Sequence, residues 1–316
     1  MTTPEDANQG FYPTKTLNFV TLGKFDDVLQ EHQQLERELK LRYNGKIFVY
    51  SLNHPSEDSL GYGSAPSVKR IDEETIICIP EEWHAVLYIL CSSIYFDLLE
   101  PLSRYVDGED GEFSISKESR DIVNECLGSV QQFIDHSELK WPDSLPIDND
   151  YSTSGISDLT RLDSLYVISV LFIYLHEVSH IVSDEHLGLN ELSPEESKEN
   201  ESRCDLDAAR WILEAFPANL HDTCRLGIVI ALGAATILTK NSPSLTHPEP
   251  QIRASNVFGT LSIEMTDTMK LTHNTICLWT AKILGIPESE LSKLVDSKID
   301  VEAIYAKIRE ALRYNS

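Results

Sequence analysis

From Ser164 to Leu175 the chain reads Ser-Leu-Tyr-Val-Ile-Ser-Val-Leu-Phe-Ile-Tyr-Leu, and it runs without a break into His176-Glu177-Val178-Ser179-His180. A stretch so apolar has no solvated face, so it predicts a helix buried on all sides with the fold built around it. Ionisable groups at the end of such a helix are costly unless something binds them. Residues four apart share a helical face, so His176 and His180 can offer ring nitrogens to one Zn²⁺. Glu177, about 100° further round the helix, reaches a water beside the ion rather than the ion itself. The expected chemistry is hydrolysis. The ion would lower the pKa of that water to about 7, Glu177 would take its proton, and the hydroxide would attack a polarised carbonyl.

Two histidines leave the ligand set incomplete. Ser193-Pro194-Glu195-Glu196 reads as a helix start, with Ser193 as N-cap, Pro194 at the first helical position and Glu196 closing a capping box. In the helix that follows, Glu201, Asp205, Ala208 and Ile212 fall on one stripe whose acidic end is expected to point inward. Glu201 is then a natural third ligand, and Asp205, one turn on, can accept the free ring N–H of a ligand histidine. His186 is the rival, since it stands where the metzincin pattern places its third histidine. That pattern requires glycine where this chain has Ser183.

His-Glu-x-x-His followed by Glu201-x-x-x-Asp205-x-x-Ala208 resembles the gluzincin zinc peptidases. Further on, Thr246-His247-Pro248-Glu249-Pro250-Gln251-Ile252-Arg253 resembles the His-Pro-x-x-x-x-Arg segment of HtpX-like peptidases. The motif set, length and apparent lack of membrane spans are similar to those of the Lit phage-exclusion peptidases. The resemblance covers residues 157 to 260. It implies zinc held by His176, His180 and Glu201, Glu177 as base, and His247 or Arg253 in the active-site wall supporting an oxyanion. It also implies a protein substrate, a host protein in the phage-exclusion case, and an activating or inhibiting partner. From the residues alone, Thr246 and Glu249 can form a capping box that sets His247 at a helix N-terminus, where a neutral N–H can stabilise an oxyanion. Equally, His-Pro can merely start a helix while Arg253 pairs with an acid.

The 26 basic residues face 51 acidic ones, a formal charge of −25. Such a chain repels phosphate backbones and anionic membrane surfaces, so neither nucleic acid nor membrane is an expected partner. The six cysteines are scattered without paired spacing, and no disulfide framework or cysteine zinc site is expected. The first residues lack a basic and an apolar signal region, which makes a reducing cytoplasm the expected home. The runs Ser164–Leu175, His84–Tyr95 and Leu226–Leu238 are shorter than the about 20 apolar residues of a bilayer crossing and read as core helices.

The expected fold is α+β and mainly helical, a zincin-like metallopeptidase domain with a small N-terminal sheet. Residues 1–140 would supply a helix, the sheet and packing helices, and residues 141–316 the catalytic helices, with Trp141–Ser157 as linker unless the two parts are continuous. After a loose tail over 1–15, helices are expected at 25–43, 82–102, 116–136, 158–182, 194–215, 219–239, 248–266, 268–284 and 301–313. Strands are expected at 46–52 and 75–80, with a loop from Asn53 to Ser67 between them. Either strand can align a substrate, and the loop from Ser183 to Leu192 can wall the cleft. Beside the zinc endopeptidase stand two other readings: a non-catalytic scaffold that keeps a metal for stability, and a helical interaction module with a chance motif.

Overall fold

The structure, a computed structural model, describes residues 14–33, 35–37, 39, 47–52, 66–71, 74–106, 114–136, 139–145, 160–183, 193–238 and 250–283. In chain order its elements are α1 (Thr14–Glu31), β1 (Ile47–Leu52), β2 (Ser67–Ile71), β3 (Glu74–Pro80), α2 (Glu81–Ile94), a π turn (Tyr95–Leu99), α3 (Glu100–Val106) and α4 (Lys117–His136). They continue with α5 (Arg161–Val182), α6 (Pro194–Ala215), a 3₁₀ turn (Ala218–Leu220), α7 (His221–Leu238), α8 (Pro250–Thr260) and α9 (Asp267–Ile283). The fold is mostly helical with one small sheet.

α5 is the axis. Thr160 caps it reciprocally with Asp163, each side chain accepting from the other's backbone N–H at 3.2 Å, which satisfies two donors that a buried helix start would leave open. Every residue from Leu165 to Ser179 is buried, because α1, α2, α6 and α7 pack around it. The approach of α7 is close. Gly227 sits so close that an added Cβ would lie 2.7 Å from Ile168 Cγ2. Across the same crossing, Ser169 Oγ donates to the Gly227 carbonyl at 2.9 Å.

The sheet has the order β1-β3-β2, with β1 parallel and β2 antiparallel to the central β3. β3 runs straight into α2 through Pro80, and Glu81 and Glu82 in the first turn face the positive end of the helix. The sheet rests on α2 and α5. Residues on both sides of position 140, from Val86 and Leu90 to Leu171 and Ile230, belong to one hydrophobic cluster.

Several boundaries differ from expectation. The first helix begins at Thr14 rather than 25, because Leu17, Thr21, Phe25 and Val28 bury one face and Asn18 accepts a bond from Tyr174 of α5 at 2.7 Å. Strand β2 begins at Ser67, the last residue of the expected loop, and continues to Ile71 where no element was expected. Its residues Ser-Val-Lys-Arg-Ile carry too little apolar alternation to announce a strand, and pairing with β3 makes one. α8 stops at Thr260 rather than 266. There Ser262 adopts φ 55°, and the Ile263 and Ser262 N–H groups turn back to the Phe258 and Gly259 carbonyls at 2.8 and 3.1 Å, a Schellman ending made with serine. The expected helix at 301–313 and most of the Trp141–Ser157 linker lie outside the described residues.

The apolar runs also sit in longer helices than their own lengths suggested. By length and composition alone, Glu81–Arg104, Arg161–Val182 and Ala218–Leu238 are each long and apolar enough to cross a membrane. The helices extend past the apolar runs into more polar turns, which the runs by themselves do not reveal. Within this fold 72, 83 and 56% of their apolar windows are buried by protein.

Two stability predictions follow from this packing. Gly227→Ala should lower the unfolding free energy by about 1–3 kcal/mol through overpacking against the β-branched Ile168, measured by denaturant titration. His84 is 1% exposed, shares a 3.0 Å hydrogen bond with the Tyr166 hydroxyl, and is pushed by burial down to about 3. Because its folded pKa lies below the unfolded value, the unfolded chain takes up a proton that the native state refuses. His84 therefore stabilises above pH 6.5 and loses that contribution as the pH falls toward 3. Relative to wild type, His84→Gln should gain about 1.4 kcal/mol per pH unit between pH 6 and pH 4. A constant difference across that range would contradict the assignment.

Candidate metal centre

The last two turns of α5 and the middle of α6 meet at their polar ends. His176 and His180 point their Nε2 atoms at each other, 3.2 Å apart. The Glu201 carboxylate comes up from α6 with Oε2 at 3.3 Å from His176 Nε2 and Oε1 at 3.4 Å from His180 Nε2. Among the described residues, these three side chains form the one group whose donor atoms all lie close enough to meet a single ion. Donors about 2.0–2.1 Å from a tetrahedral centre are separated by about 3.4 Å. Each observed separation is close to that spacing, the two histidines being met by different oxygens of Glu201, and two imidazoles with a carboxylate are a donor set that zinc accepts. The residues present fit the ion.

α6 reaches this position through its own start. Ser193 Oγ accepts from the Glu196 N–H at 3.3 Å and the Glu196 carboxylate accepts from the Ser193 N–H at 2.8 Å, with Pro194 at the first helical position. From there Asp205, Ala208 and Ile212 turn inward and are buried, while Glu201 heads the stripe at the edge of the cleft.

The second ring nitrogens each face a side chain of α6. His176 Nδ1 lies 3.0 Å from Asp205 Oδ1. Asp205, 1% exposed, is gripped by Arg253 of α8, whose Nε donates to Oδ2 at 2.8 Å and whose Nη2 donates to Oδ1 at 2.6 Å. Burial alone would raise the Asp205 carboxyl, but Arg253 and His176 outweigh it and hold it below the usual carboxylate range. Burial likewise opposes protonation of His176, and there the Asp205 and Glu201 carboxylates prevail and lift the imidazole to about 10. On the other ring, His180 Nδ1 faces the sulfur of Cys204 at 3.4 Å. Ser179, between the two histidines, donates to Asp207 of α6 at 3.1 Å.

Glu177 is 7% exposed. Burial raises its carboxyl above the ordinary value, with His176 and His180 opposing and Glu201 adding to the rise. It shares a small cleft with His176, Glu201 and Arg253, whose apolar wall is made by Trp83 of α2, Phe172 and Ile173 of α5, Leu232 and Ala235 of α7, and Pro66 just before β2.

Of the residues singled out in the sequence, His176, Glu177, His180, Glu201, Asp205 and Arg253 are brought together. His247, with its neighbours Thr246 to Glu249, and His186 lie outside the described residues. Sequence reasoning missed Cys204, although its place three residues after Glu201 and one before Asp205 puts it on the same side of α6. It also missed the cleft wall from α2 and α7, for which the sequence offers no local signal.

A family model described as Peptidase U49 matches residues 79–275, a span that includes every described residue of the centre. The chain belongs to the Peptidase U49 family. It is therefore a member of a peptidase family, and the His-Glu-His cluster sits inside the matched region. No curated protein and no solved structure matches the chain.

The Arg253–Asp205 pair can be tested without any metal. Asp205→Ala leaves a buried guanidinium uncompensated and should cost about 3–5 kcal/mol of stability in metal-free protein. Asp205→Leu combined with Arg253→Met removes both charges and should recover most of that loss. Denaturant curves in the presence of a chelator measure both, and a harmless Asp205→Ala would contradict the buried pair.

Proposed function

We propose that this peptidase is a zinc-dependent endopeptidase of gluzincin type on a zincin-like fold. The observation that carries the reading is the convergence of His176 Nε2, His180 Nε2 and Glu201 on one another at 3.2–3.4 Å. His176, His180 and Glu201 are the ion's ligands in this proposal. When bound, zinc supplies Lewis acidity toward a peptide carbonyl and lowers the pKa of water.

The chain's own groups do the rest. Glu177, on the same helix turn and turned into the cleft, is the base that takes the proton of the attacking water and returns it to the departing amine. Its partly desolvated carboxyl is suited to both directions of transfer, since burial raises its proton affinity toward that of a working acid. Asp205, whose Oδ1 lies 3.0 Å from Nδ1 of His176, is the residue assigned to favour the Nδ1–H tautomer that leaves Nε2 open to the ion. Arg253 holds Asp205 through the two-pronged contact, so its role here is to support His176. His247 is assigned to the oxyanion on the His-Pro-x-x-x-x-Arg resemblance alone.

The cleft favours a polypeptide substrate. β3 has strands on both edges, which removes one of the two strands the sequence nominated for aligning a substrate. β2 begins next to Pro66 at the cleft, and among the described residues its outer edge has no strand partner. A substrate added along β2 would gain main-chain hydrogen bonds while a side chain enters the apolar wall. The substrate is proposed to be a host protein and the setting phage exclusion in the cytoplasm, on the resemblance to the Lit peptidases. Cys91, Cys126, Cys204, Cys224 and Cys277 are free thiols, and a reducing compartment is part of the proposal. A regulating protein partner and no role for nucleic acid or membrane complete the proposal.

Elemental analysis should find about one zinc per chain in the wild type, lost in His180→Ala and in Glu201→Ala and kept in His186→Ala. Glu177→Gln should bind zinc normally yet lose the new N-termini that the wild type generates in a host lysate, with a rate reduction of about 10²–10⁴. Cleavage retained by Glu177→Gln would sink the mechanism, and zinc loss that follows His186 would replace Glu201 as ligand.

A further inference from the structure

The two ligand histidines of the proposed centre receive unequal support, and both supports come from adjacent residues of α6. Asp205 stands 3.0 Å from Nδ1 of His176. Its neighbour Cys204, fully buried, stands 3.4 Å from Nδ1 of His180. Glu201, one turn earlier on the same side of the helix, faces the Nε2 atoms of both rings. A single helical face therefore meets both edges of His176 and of His180.

We propose that Cys204 is a positioning residue for His180: its sulfur accepts the Nδ1–H of that imidazole and keeps Nε2 turned toward Glu201. This rests on the reading of His176, His180 and Glu201 as a zinc site. An imidazole that gives Nε2 to an ion must carry its proton on Nδ1, and a buried N–H without an acceptor is costly and lets the ring turn away. Among the described residues, the donor group able to meet one ion contains His176, His180 and Glu201 and not Cys204. The sulfur approaches the ring from its Nδ1 side, away from the point where the three donors converge. Cys204 thus supports a ligand without being one. Sulfur is a weak acceptor, so its effect belongs at the low end of the range seen for residues that orient metal ligands.

The test compares full-length wild type with Cys204→Ala, Cys204→Val and Cys204→Ser. Zinc per chain, zinc affinity by chelator competition and the ligand-field spectrum of the cobalt(II) form are measured, along with the melting of the metal-free proteins. About one zinc in every protein, about tenfold weaker binding in Cys204→Ala and Cys204→Val, shifted cobalt bands in both, and recovery of most affinity and of the bands in Cys204→Ser would support the proposal. Valine fills the thiol's space without an acceptor, so it carries the comparison if the alanine protein does not fold. Affinity and bands unchanged in both acceptor-less variants would overturn it. So would a serine variant as weak as valine, or a sulfur-to-cobalt charge-transfer band in the wild type, which would make Cys204 a ligand. A wild type that binds no zinc would instead remove the reading of the centre itself.

Discussion

The carboxylate of Asp205 joins three helices at one buried point. It sits on α6, takes two hydrogen bonds from Arg253 of α8, and stands against Nδ1 of His176 on α5. A charge buried this deeply is tolerable only when it is paired and its lone pairs are filled, so the position of each helix is constrained by the other two. His176 lies between them, with Asp205 at 3.0 Å from Nδ1 and Glu201 at 3.3 Å from Nε2. The tight crossing of α7 over α5 at Gly227 acts in the same direction. It presses the apolar face of α5 against the core and leaves only its C-terminal turns open to the cleft.

Much of this centre was legible in the sequence because it is written in helical periods. His176 and His180 are four apart on a helix whose apolar length announced its burial. Glu201, Asp205, Ala208 and Ile212 form a stripe whose start was marked by Ser193, Pro194 and Glu196, and the capping box is found as written. The sequence also placed Arg253 near the site, through a resemblance and not through physics. What it could not show was the direction of the guanidinium, because that depends on how far α8 lies along α6.

The illegible parts share one cause. Cys204 reads as a small core residue until the lateral offset of α5 and α6 puts His180 beside it. β2 has almost no strand signal of its own and exists through its register with β3. The first helix starts at Thr14 because Leu17, Thr21 and Phe25 find a face of α5, and no local pattern states that. Trp83 and Leu232 reach the cleft wall from elements far apart in sequence. Each of these depends on one element meeting another, and periodicity within an element carries no information about the meeting.

On the proposed zinc reading, the electrostatics of the cleft and its donor geometry support each other. Glu177, Glu201 and Asp205 share one nearly buried region with the guanidinium of Arg253. The Asp205 and Glu201 carboxylates lift the His176 imidazole to about 10 against the opposing effect of burial. The imidazolium proton and a divalent ion would compete for the same excess of negative charge, and His176 cannot hold a proton on Nε2 and ligate through it at once. An ion bound between the three donors would displace the proton and carry more charge into the same space, so each carboxylate that now stabilises the imidazolium would stabilise the ion more. On the proposed zinc reading, the acidic surroundings that look like a liability for two buried carboxylates are matched by the charge of the ion.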